Sequence, residues 1–70
     1  MTPRQAVAHL FREGREVGLP GASGYLSPLA LEDVFAEAGE VHFEGEEGDA
    51  HWNVVDASGK VVAVSTRRST

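Results

Sequence analysis

Apolar residues near the start of the chain recur at helical spacing. Val7, Leu10, Phe11, Gly14 and Val17 fall at i, i+3, i+4, i+7 and i+10, one stripe of a 3.6-residue period. Arg4, Arg12, Glu13, Arg15 and Glu16 lie largely off it. Thr2 and Gln5 have the spacing of a capping box, Pro3 suits the first helical position, and Gly18 followed by Pro20 supplies a stop. The pattern predicts a helix whose buried stripe runs through Val17. Residues 18–26, GLPGASGYL, form a glycine-rich connector. Gly18, Gly21 and Gly24 suggest a phosphate loop, but with no strand expected before them and no Lys-Ser/Thr after them they read as turn residues between two helices. A second helix is expected from Ser27, a capping residue followed by Pro28. Leu26 and Leu31 have the spacing of a hydrophobic staple, Leu31, Val34, Phe35 and Ala38 form the buried stripe, and Gly39 closes the helix.

From residue 41 the period changes to two, and three strands are predicted. A turn at Glu47-Gly48 sets Phe43 opposite Trp52, Val41 opposite Val54, His42 opposite Asn53 and Glu44 opposite His51. A three-residue loop, with Gly59 in the left-handed position, sets Asp56 against Lys60, Val55 against Val61, Val54 against Val62 and Trp52 against Val64. Both hairpins then give one apolar face: Val41, Phe43, Trp52, Val54, Val62 and Val64. The expected architecture is α+β, with two N-terminal helices packed on one face of a three-stranded antiparallel meander, in the order ααβββ. Residues 1–66 form a single domain in this reading, and residues 67–70 a flexible basic tail.

Composition narrows the classes of function. The chain has 70 residues, 41% of them hydrophobic, which is the balance of one small globular domain. No apolar run is long enough for a membrane helix, and the N-terminus lacks a signal-peptide core, so a cytoplasmic location is expected. Absence of cysteine excludes disulfides and thiolate chemistry. A domain this small has little core to spare, so a homodimer is expected. The net charge of −5 argues against direct nucleic-acid binding. That charge is uneven: Glu32, Asp33, Glu37, Glu40, Glu44, Glu46, Glu47 and Asp49 form an acidic middle with no basic residue among them. Such a strip suits a partner protein with a basic surface.

The candidate chemistry is sparse. His42, Glu44 and His51 share the outer sheet face in the predicted register, beside Asn53, a set that would suit a zinc-like ion. No tight ligand motif fixes them, and no cofactor or catalytic residue is assigned. The serines are accounted for by turns, caps and strand ends, and the chain reads as a non-enzyme. Val55, Val61 and Ala63 fall on the same outer face and are expected to be exposed. The candidate interaction surface is therefore His42, Glu44, Glu46, Glu47, Asp49, His51, Asn53, Val55, Val61 and Ala63. The last strand, with Lys60 as its only charge near the start, is the expected free edge for a partner sheet. The segment HWNVVDASGKVVAVS, residues 51–65, resembles the strand–turn–strand that ends PepSY-type domains, which also place helices beside an antiparallel sheet. The expected function is a non-catalytic protein–protein interaction or regulatory module, self-associating, with a small metal- or ligand-binding domain built on the histidines as the alternative.

Overall fold

The structure, a computed structural model, describes residues 1–46 and 48–67. The first helix, α1 (Pro3–Arg12), starts as its sequence dictates. Thr2 accepts the Gln5 backbone N–H at 3.2 Å, and the Gln5 side chain accepts the Thr2 N–H at 3.2 Å. It stops earlier than the stripe predicts. The Glu13 N–H closes on the His9 carbonyl at 3.1 Å, and Gly14 turns the chain out at a φ of 73°. Glycine is a poor helix interior and a good exit, so the chain leaves the helix before Val17.

The chain passes from this exit directly into a strand, β1 (Arg15–Gly18), with Arg15 and Val17 pointing to the helical side. Then come α2 (Pro28–Ala38), β2 (Val41–Glu44), β3 (His51–Asp56) and β4 (Val61–Arg67). The expectation of α+β architecture holds at the level of class. Its detail is corrected: the order is αβαβββ, and the sheet has four antiparallel strands in the order β1-β4-β3-β2. Val17 satisfies both a helical i+10 position and an inward strand position. That coincidence hides the extra strand.

The registers differ from expectation in instructive ways. Between β2 and β3 the pairs are Phe43 with Val54, His42 with Val55 and Glu44 with Asn53, a slip of two residues from the predicted set. A slip of two preserves the face of every side chain, so Phe43, Trp52 and Val54 still point to the helices. The slip lengthens the connection to residues 45–50, where the Glu46 N–H donates to Asp49 Oδ2 at 2.8 Å. This removes the like-charge cross-strand pair that the tight turn imposes on Glu46 and Asp49.

The second hairpin turns as expected. The Asp56 N–H donates to the Lys60 carbonyl at 3.0 Å, Gly59 has a φ of 89°, and Val55 pairs with Val61. A bulge then shifts the pairing, so that Val54 faces Ala63, Asn53 faces Val64 and Trp52 faces Ser65. Ala63 and Ser65, not Val64, therefore meet the helical side, while Val62 still packs against the core. Small residues suit this central strand. Ser65 is fully buried and its hydroxyl donates to the Trp52 carbonyl at 3.3 Å.

One more expectation is corrected. β4 lies between β1 and β3, so it offers no free edge to a partner sheet. The strand also includes Arg67, the first residue of the expected tail. Residues 68–70 of that tail lie outside the described residues, as does Glu47 of the predicted turn. The core consists of Ala6, Leu10, Val17, Leu31, Phe35, Val41, Val54 and Ala63, all fully buried, with Val7 nearly so. α2 is seated by Ser27, which accepts the Ala30 N–H at 3.3 Å.

The connector does more than join helices. It leaves β1, passes over Gly18 and returns along the β1 edge, where the Leu26 N–H donates to the Val17 carbonyl at 2.8 Å. A Cβ on Gly18 would sit 2.6 Å from the Gly24 carbonyl oxygen, which explains the glycine there. A strand does precede this glycine-rich segment, contrary to expectation. It still lacks the Lys-Ser/Thr ending, and α2 opens on Pro28, which has no N–H to offer a phosphate.

Candidate functional sites

The sequence-derived surface divides in two. His42, Glu44, Glu46, Asp49, His51 and Asn53 are exposed. Val55 and Ala63 are fully buried, and Val61 is half-buried, so the expected apolar contribution to an open face is corrected. Ala63 is buried because the bulge turns it to the helical side. Val55 keeps the opposite side from Val54 by strand alternation and is nevertheless sealed. The outer face is not bare: residues of the 19–25 connector line a shallow depression there with His51, Val64 and Thr66. Glu47, the remaining member of the set, lies outside the described residues.

The two-residue slip also separates the expected metal ligands. Glu44 now opposes Asn53, His42 opposes Val55 and His51 opposes Thr66. Among the described residues no three His, Asp or Glu side chains gather as a metal-binding group. This side of the molecule keeps an open strand edge. β2 has a sheet neighbour on one side only, and Glu40, Glu44 and Glu46 are exposed along and beside it. The other edge, β1, is partly closed by Leu26.

A second site lies at the opposite face, where the helices stop short of the sheet's end, and sequence reasoning does not find it. Arg15 is only 4% exposed. Its guanidinium lies 3.5 Å from the Trp52 ring centroid, a cation–π contact. It donates to the Asp49 carbonyl at 2.7 Å, to the Ala50 carbonyl at 3.3 Å and to the Ser65 hydroxyl at 3.5 Å. Trp52 Nε1 donates to the Glu46 carbonyl at 2.9 Å, and the Arg67 N–H reaches the Ala50 carbonyl at 2.8 Å. Glu46, Asp49 and Ala50 of this loop are thus tied down by Trp52, Arg15 and Arg67. Gly45 crosses close above the ring, and a Cβ there would strike Trp52 Cδ1.

On the cleft side, His9, Phe43 and Trp52 lie nearly parallel, with centroids 5.3 Å (His9–Phe43), 6.1 Å (His9–Trp52) and 5.8 Å (Phe43–Trp52) apart. Glu13 follows His9 by four residues and so emerges on the same side of α1. Arg67 pairs directly with Arg15 across the strands, on the same face. Together these residues line a cleft of about 480 Å³. Burial first, then the charge of Arg67, pull the Arg15 pKa below its ordinary value, while Glu13 and Asp49 pull the other way. Arginine stays charged throughout. In the sequence, Arg15 reads as one of the charges off a helical stripe, and only the switch to strand period turns it inward.

No protein-family model matches the chain, PepSY-type domains included, and comparison with curated proteins and with solved structures found no match. No helix among the described residues is long and apolar enough to cross a membrane.

Proposed function

We propose that the protein is a non-catalytic interaction module that takes an extended basic segment of a partner protein alongside β2. The open β2 edge carries this reading. A strand with unpaired backbone groups accepts a further strand by main-chain hydrogen bonds, and flanking side chains select which one. Here the flanking groups are Glu44 and Glu46, with Glu40 beside them already paired to the Met1 ammonium at 3.3 Å. Like charge discourages two copies from pairing at this edge and favours lysine or arginine on the incoming strand. The acidic middle of the sequence then acts mainly on the rate of encounter.

The test is titration of 15N-labelled protein with an alternating lysine–valine peptide at low and high salt. Amide shifts are expected to concentrate in residues 41–44, and association to slow several-fold between about 20 and 200 mM salt, as the screening length shortens. Glu44→Lys is expected to weaken binding, while Glu32→Lys on α2 leaves it nearly unchanged. Salt-independent binding, or shifts centred on α2, would overturn the reading.

A further inference from the structure

We propose that the cleft between α1 and the Arg15–Trp52 end of the sheet binds a small aromatic carboxylate. This site is independent of the β2 edge, and its chemistry is opposite in sign. The protein carries a net charge of −5, yet it sets two arginines directly opposite each other on one face. Like charges in that position destabilise a sheet pair. An anion beside them removes the cost, and the guanidinium fork free to hold its carboxylate is that of Arg67, because Arg15 directs its own N–H groups to Asp49, Ala50 and Ser65.

The lining sets the charge of the ligand. Arg15 and Arg67 bring two positive charges, Glu13 returns one negative charge, and the Asp49 carboxylate in the adjoining loop opposes Arg15 further. Two carboxylates this near disfavour a dianion, so a monoanion is the ligand the site suits. Arg15 is already fixed: its N–H groups reach Asp49, Ala50 and Ser65, and its plane rests on Trp52. It therefore acts as a preorganised charge. Arg67 is exposed and can close over the ligand. The body of the ligand meets half-buried Phe43 and His9, whose stacked rings give the cleft an aromatic side. A space of about 480 Å³ admits a molecule with one or two rings.

Trp52 is the only tryptophan and stands in the wall, so its fluorescence reports the site directly. Phenylacetate titrated at low salt is expected to change that emission saturably. Acetate, which lacks the ring, and benzyl alcohol, which lacks the charge, are each expected to bind at least about tenfold more weakly, the equivalent of one lost favourable contact of roughly 1.4 kcal/mol. Arg67→Gln leaves the backbone bond to Ala50 in place and removes the like-charge pair with Arg15, so it is expected to lower phenylacetate affinity about tenfold while the melting temperature of the free protein does not fall and rises slightly. Lys60→Gln, at the far hairpin, is expected to change nothing. Three results would each overturn the proposal: no saturable response up to about 10 mM, well above the ~1 mM scale of weak specific binding; undiminished affinity in Arg67→Gln; or tighter binding of phenyl phosphate than of phenylacetate.

Discussion

Arg15 joins three parts of the molecule that are far apart in sequence: the end of α1, the 45–50 loop and the buried hydroxyl of β4. Its role depends on shape as much as on charge. Lysine at this position keeps the charge but cannot lie flat on Trp52 while bonding two carbonyls. Arg15→Lys is therefore expected to cost about 2 kcal/mol in urea unfolding, the scale of a lost charge-assisted hydrogen bond. Trp52 emission is expected to move to the red as the loop loosens. Gly45 makes a complementary test from the other side of the ring. Its φ of 152° suits glycine, and the indole above it has no room to retreat while Nε1 holds the Glu46 carbonyl. Gly45→Ala is expected to destabilise the fold by at least about 2 kcal/mol through strain and displacement of the ring, read by the same unfolding curve.

Among the elements, the β3–β4 hairpin shows how a local signal can be right and its propagation wrong. Asp56, Gly59 and Lys60 specify the turn, and the turn forms as the sequence predicts. Asp56 Oδ1 accepts the Ser58 hydroxyl at 2.6 Å, the Ser58 N–H at 2.9 Å and the Lys60 N–H at 3.0 Å. These bonds, the Ser58 hydroxyl foremost, lower the Asp56 pKa below the usual aspartate value. A carboxylate whose folded pKa is depressed adds stability above its unfolded pKa and loses it as pH falls through the folded one. Wild-type protein is therefore expected to lose melting temperature below about pH 4 in part through this turn, and Asp56→Asn to show a shallower acid dependence, measured by thermal melts from pH 7 to pH 2.5. The bulge beyond the turn has no signature in the sequence. Val62 and Val64 have the strand propensity expected of inward positions, and only the need for small residues at the crowded centre favours Ala63 and Ser65 instead. Helix caps are legible for a converse reason. Thr2, Gln5 and Ser27 act on neighbours three residues away, where sequence spacing is geometry. The cleft is not legible, because it needs Arg15 on a strand, and Val17 satisfies helix and strand periods alike.

At the scale of the whole molecule, the two proposed sites differ in the charge they present. Glu40, Glu44 and Glu46 lie at an open sheet edge, while Arg15 and Arg67 stand together at the cleft. The loop of residues 45–50 lies between them. It leaves β2 at one end, and Arg15 and Trp52 pin it at the cleft. The arrangement follows from one topological fact, the pairing of β1 with β4. That pairing brings Arg15 beside Arg67 and turns a strand expected at the margin into the middle of the sheet. It also dictates a timetable. As the chain emerges from the ribosome, Val17 and its neighbours have no ladder to join until the residues around Val64 to Arg67 are made. The β1–β4 pairing has the greatest sequence separation in the sheet, so closing it costs more loop entropy than closing either hairpin.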